Sequence, residues 1–280
     1  MRWPRMLGAA LLLAAALTAQ PALGQSWRTV NSSRVLRGER ELDVNVRYGA
    51  GRFSIQPAPS ALLYRVQMRY DEDQFEPITE FDGQSLELGV DGTGRDFRIG
   101  KQEGGEMDVE LAAAVPMELE IEFGAGTADI DLGGLALTGL SVRTGASETL
   151  LDVSRPNPET LEEAILQVGA AEFTALRLGN LNARRIEMNA GVGDVTIDLT
   201  GEWREDATVK LKMGLGSLEL RLPEGVGVRL DRQTLLTSLD AQGMVKRGDS
   251  YYSVDWDHAD RRITVQIEAA FGSVDVRWVR

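Results

Sequence analysis

Catalysis or metal binding in this chain would have to be built almost wholly from carboxylates. The 280 residues hold 43 Asp and Glu, one His and no Cys. The histidine, His258, stands in Asp257-His258-Ala259-Asp260, where a His between acids is a candidate base or ligand. With no second His and no Cys to complete a site, it reads as a surface histidine. No Gly-x-Ser-x-Gly elbow, phosphate loop or zinc spacing occurs. One column of acids is regularly spaced: Asp131, Asp152 and Asp198 each lie seven residues after a glycine that opens a repeated unit, with Leu176 interrupting and Arg221 following. On stacked strands such side chains should face solvent about 5 Å apart, and like charges that close invite a cation such as calcium. The Gly-Val-Gly-Asp at Gly191 to Asp194 faintly echoes calcium-binding nonapeptide repeats, but there is no period of nine. The expectation is no metal and no cofactor, with those three aspartates the places to look for calcium.

The unit that must position these residues is clearest at 119–132, Leu-Glu-Ile-Glu-Phe-Gly-Ala-Gly-Thr-Ala-Asp-Ile-Asp-Leu. Its first glycine recurs at Gly124, Gly145, Gly169, Gly191 and Gly214, at spacings of 21, 24, 22 and 23 residues. An earlier copy lies at Gly49, and a late one has Ala270 in the glycine place with Gly272 two residues on. Several copies carry a second glycine: Gly51, Gly126, Gly193, Gly216. Apolar or small residues fall five, three and one before the first glycine, and four, six and eight after it. Around Gly214 these are Val209, Leu211 and Met213, then Leu218, Leu220 and Leu222. Period two within each arm means a strand with one buried face. The odd step between arms breaks the alternation, so the Gly-x-Gly must be a corner or bulge that needs positive φ or close approach to a neighbouring coil. A period of about 22 residues then predicts two arms of five or six residues per coil of a parallel β-solenoid, stabilised by stacking.

The rest of the chain frames that stack. Residues 1–24 have Arg2 and Arg5, a short apolar run from Leu7 to Leu17, and Ala22-Leu23-Gly24, the pattern of a signal peptide cleaved before Gln25. The run is too short to span a membrane, and no later segment qualifies. Without Cys there is no lipobox and no disulfide, so stability must come from burial and strand ladders. Removing the two signal arginines leaves 28 basic against 43 acidic residues, a formal charge of −15. That balance argues against nucleic acid and against attachment to anionic lipid. Residues 25–115 read as an antiparallel β section capping the N-terminal end: an arm or edge strand over 26–40, then short strands separated by turns. Residues 116–280 read as the solenoid, with a capping insertion at about 223–262. Gln233 to Leu239 in that insertion has some helical character. Tyr251, Tyr252 and Trp256 make it the densest aromatic stretch, a candidate partner surface.

Val46 to Ile55 with its Tyr-Gly-Ala-Gly, Val115-Pro116-Met117-Glu118-Leu119 entering Phe123-Gly124-Ala125-Gly126, and Leu222-Pro223-Glu224-Gly225-Val226 resemble bacterial toast-rack domains. These are related to putative-adhesin domains and to the C-terminal part of cell-wall-active antibiotic response proteins. The resemblance covers nearly the whole chain after residue 24. It implies a right-handed β-solenoid in the bacterial envelope, with no catalytic residues to carry over. The chain lacks the transmembrane helices of the antibiotic-response proteins.

The function expected is therefore non-enzymatic: an exported all-β solenoid, periplasmic or at the cell surface, acting as a structural or adhesin-like module. Its partner would be an envelope protein or a glycan, and self-association through incompletely capped ends is open to it. An envelope-stress sensor docking on a membrane protein is the alternative. A carbohydrate-active β-helix enzyme is disfavoured because no acid pair converges in register. An outer-membrane barrel is disfavoured because its strands need about 9–11 residues.

Overall fold

The computed structural model describes residues 26–59, 61–92 and 104–279, so the expected signal segment lies outside the described residues. Eight strands form one parallel ladder: β2 (Leu42–Pro57), β7 (Met117–Asp131), β8 (Leu137–Asp152), β9 (Leu161–Leu176), β10 (Ala183–Asp198), β11 (Ala207–Pro223), β15 (Arg262–Val279) and β12 (Gly227–Asp240). The fold is the β-solenoid that the repeat predicts, and the copies pair glycine for glycine: Gly51 with Gly126, Gly193 with Gly216, and Gly216 in turn with Gly272.

The arms are not separate short strands. Each pair is one continuous strand; β7 has 15 residues, β11 17 and β15 18. The glycines mark a bend within it: the first glycine drops out of the pairing on both strands, the register stays one to one on either side, and the buried face changes over there. In β7, Leu119, Ile121 and Phe123 are buried before the bend, and Ala128 and Ile130 after it. The strand also folds back there. Tyr48 and Phe53, on opposite sides of one bend, stack at 6.0 Å between centroids, and Phe123 of the next coil stacks on both. One bent strand thus lines both walls of the core. The length objection to a membrane barrel consequently lapses, but a parallel ladder with two ends is not the closed antiparallel sheet of such barrels.

The connections are held by buried asparagines. Asn157 is fully buried and donates from Nδ2 to the Leu137 and Leu181 carbonyls at 2.9 and 3.0 Å, while its Oδ1 accepts from the Leu137 and Glu159 amides. One side chain therefore ties three successive coils. Asn180 repeats the device one coil on, donating to the Val153 carbonyl and accepting from the Glu202 amide. Buried backbone groups need partners, and these amides supply them where the ladder stops.

At the N-terminal end β2 is covered on both halves. Its first half pairs with β5 (Ser85–Gly92), which pairs with β4 (Phe75–Phe81). Its second half pairs with β6 (Gly105–Leu111), which is backed by β3 (Leu62–Asp71) and the edge strand β1 (Trp27–Val35). At the other end the chain order is broken, because β15 enters between β11 and β12. Residues 223–262 are therefore only partly a cap. β12 is itself a coil, strand rather than helix over Gln233 to Leu239. Only the hairpin of β13 (Met244–Arg247) and β14 (Ser250–Ser253) lies outside it, over Arg229 to Asp231.

Candidate functional site: the bend of the stack

The bend is where the repeat spends its most constrained residues. Gly216 has φ +141, and a Cβ there would stand 1.8 Å from the Gly193 carbonyl oxygen. Gly124 has ordinary φ, but its Cβ would meet the Gly49 oxygen at 2.2 Å. The second glycine thus supplies backbone freedom, and both allow coils to touch. In β8 the second place is Ser147, and in β9 it is Ala171. Between these strands the pairing skips from Thr144–Val168 to Glu148–Glu172. Ser147 is buried and bonds Thr149 at 2.9 Å, which satisfies the polar residue in that core column.

The residue between the two glycine places points outward. It is alanine in the early coils, Ala50, Ala125, Ala146 and Ala170, then Val192, Leu215 and Phe271. The last three are in register on adjacent strands and about half exposed, at 50%, 51% and 48%. They form an apolar ridge on an otherwise acidic chain. Beside it runs a groove of about 520 Å³, lined by Asn189, Lys212, Gln233 and Glu268 with Gly191 and Gly214 among its backbone. Lys212 is already paired with Glu187 at 3.3 Å, which holds the Glu187 carboxyl below its usual range. Sequence reasoning passed over the ridge because it weighed the glycines and not the residue between them. Its signal was present in the change from Ala to Val, Leu and Phe at one place in the repeat.

The aspartate column is only partly assembled. Asp131 and Asp152 are opposite one another on β7 and β8, whereas Asp198 lies two strands further on, beyond Leu176. Asp131 accepts from the Ser154 hydroxyl at 2.7 Å and the Gly133 amide at 2.8 Å. Asp152 pairs with Arg177. Burial pushes the Asp152 pKa up, with the Asp131 charge adding to the rise and Arg177 opposing it. Asp198, expected to face solvent, is buried, and it caps the following turn by accepting from the Thr200 amide at 2.7 Å. Among the described residues no group of three or more His, Cys, Asp or Glu is disposed to hold a metal.

The aromatic residues of the late segment build the hairpin cap. Tyr251, Tyr252 and Trp256 are partly buried, and Tyr252 meets Trp256 edge-on at 5.3 Å. Arg247 lies over Tyr252 at 5.3 Å and Arg262 over Trp256 at 5.7 Å, distances at which a cation is drawn to a ring face. Arg247 also pairs with Asp257 at 3.0 Å, which lowers the Asp257 pKa. His258 is exposed on the adjoining turn, its amide donating to the Asp255 carbonyl.

A ladder of this kind, with glycine bends in register and a second, less regular set of strands at one end, defines an all-β solenoid class. The chain belongs to the toast-rack family: the model of the toast-rack N-terminal domain, DUF2154, matches residues 24–175 and, in a second overlapping placement, 165–221. No curated protein matches the chain. Among solved structures it is similar to a putative cell adhesion protein from Clostridium sporogenes, at 17% identity and a TM-score of 0.45, over 90% of this chain and 100% of that one. It is also similar to a putative adhesin from Bacteroides fragilis, at 11% identity and a TM-score of 0.38, over 89% of this chain and 97% of that one. Likenesses of this size carry no ligand or activity across. Among the described residues no helix is long and apolar enough to cross a membrane.

Proposed function

We propose that the chain is exported and serves as a non-enzymatic, adhesin-like interaction module of the cell envelope, binding a partner along the bend of its last coils. The observation that carries the reading is the exposed ridge of Val192, Leu215 and Phe271, held in register by three paired strands. Exposed aliphatic and aromatic side chains in a row, bordered by a groove that carries Asn189, Lys212, Gln233 and Glu268, are the makings of an interface with an apolar centre and polar groups at its rim. The signal-like residues 1–24 and the family support an envelope location. Tyr252 and Trp256 would stiffen the adjoining cap and extend the surface where they remain exposed.

Photo-crosslinkers at positions 192, 215 and 271 in intact cells test this, with a control at the outward Thr174 on the opposite arm. Repeated capture of one envelope component from the ridge and not from the control is expected. The capture should be lost when Val192, Leu215 and Phe271 are all changed to Ser. Equal capture at the control, or persistence in the triple variant, removes the ridge from the account. Capture of a single integral membrane protein would favour the regulatory form of the module.

A further inference from the structure

We propose that the outer edge of β12 is a self-association site, through which two copies join at the C-terminal ends of their stacks. Among the described residues, Arg232 to Asp240 pairs with β15 on one side and with no strand on the other, because β14 stops at Asp231. Nine residues of backbone therefore present unpaired N–H and C=O groups in an extended row, which only another strand satisfies in full.

The other edges of the molecule are guarded. β4 carries Pro77 between Glu76 and Glu80, β1 carries Arg28 and Arg34, and β13 carries Lys246 and Arg247. Prolines and charges of this kind blunt edge pairing. The open part of β12, Arg-Gln-Thr-Leu-Leu-Thr-Ser-Leu-Asp, has no Lys or Pro and charges only at its two termini.

Charge favours a second copy joined end to end over one joined side by side. Residues 207–280 carry 11 basic and 10 acidic side chains, so this end is near neutral, whereas residues 25–206 carry 17 and 33 and hold essentially all of the negative charge. Joining two neutral ends keeps the acidic bodies at opposite extremes, whereas any side-by-side contact would bring them together. Strand sense agrees with this geometry. β14 already lies antiparallel against β12, and a mate's β12 related by a twofold axis would run antiparallel too, continuing the line that β14 begins.

The contact uses the end of the stack and not the bend ridge, so the two proposals fail separately. Sedimentation of the purified chain should give twice the chain mass. The variant Ser238→Lys/Asp240→Lys, which adds two guards at exposed positions outside the groove of the bend, should sediment as one chain with an unchanged circular dichroism spectrum. Amide exchange over Arg232 to Asp240 should be slow in the parent and faster by about tenfold or more in the variant, with β10 and β11 unaltered in both. A parent of single-chain mass at every concentration overturns the proposal. So does a dimer that persists in the variant, or one whose Arg232 to Asp240 amides exchange freely.

Discussion

The two ends of this stack solve one problem in opposite ways. At the N-terminal end, β2 has strands laid outside both of its halves, and the outermost of them, β1 and β4, carry arginines, glutamates and a proline. The core behind them is filled by large rings, Tyr48, Phe53 and Phe123. At the C-terminal end a short hairpin covers only the start of β12, the core is built of Val, Leu, Ile and Ala, and the bend column swells to an exposed Phe271. A repeat that stabilises itself by stacking must stop somewhere. The comparison shows one terminus closed by the chain itself and the other left open to a partner.

Disrupting a bend inside the stack should be the heaviest blow. Gly216→Ala combines a strained φ with a Cβ 1.8 Å from the Gly193 oxygen and should cost about 3 kcal/mol or more in urea unfolding. Gly49→Ala, at the bend of the first coil, meets nothing within 4 Å and should stay within about 0.5 kcal/mol. Equal losses would mean that backbone strain and close approach of the coils at the bend do not set the cost. Next in size, Asn157→Ala leaves the Leu137 and Leu181 backbone groups unpaired and buried, and should lower stability by about 3 kcal/mol. Chemical denaturation read separately at the two ends would show whether the coils then unfold apart.

Smaller effects sharpen the contrast. Among the described residues the buried Tyr48 hydroxyl has no hydrogen-bond partner, and burial drives its pKa up. Tyr48→Phe should therefore be neutral or stabilising by up to about 1 kcal/mol, which differential scanning calorimetry can read. The smallest change lies between the ends. Asp152 has a raised pKa, so the folded protein binds its proton more readily than the unfolded chain does, and stability falls as pH rises from the ordinary carboxylate pKa through the folded one. Asp131→Asn removes the adjacent charge. NMR titration should show the Asp152 pKa moving down, and the variant should lose less stability between acid and neutral pH.

Much of the architecture was legible because burial imposes a period. Leu211, Met213 and Leu218 had to alternate across a bend for the core to close, and that pattern survives in any copy of the unit. The arms looked separate because alternation breaks at the glycines, although the pairing keeps its register on both sides of the bend. Gln233 to Leu239 looked partly helical because its own pattern is weak, and its pairing with β15 decides it. The bend ridge could have been read from one column. The aspartate column shows the reverse: equal offsets from a glycine suggested a row of carboxylates, yet Leu176 and Arg177 divide it, and Asp198 serves a turn.

What the amino-acid sequence determined by itself was the coil: its length, its buried face, its bend and its excess of acid, all set by local alternation and by glycines that tolerate contact. What only the tertiary structure decided was how the ladder ends. The insertion of β15 between β11 and β12, the two-sided cover over β2 and the bare edge of Arg232 to Asp240 depend on pairings between residues far apart in the chain. Strand pairing is a contest among many similar edges, and its outcome is settled by the whole stack rather than by any one segment.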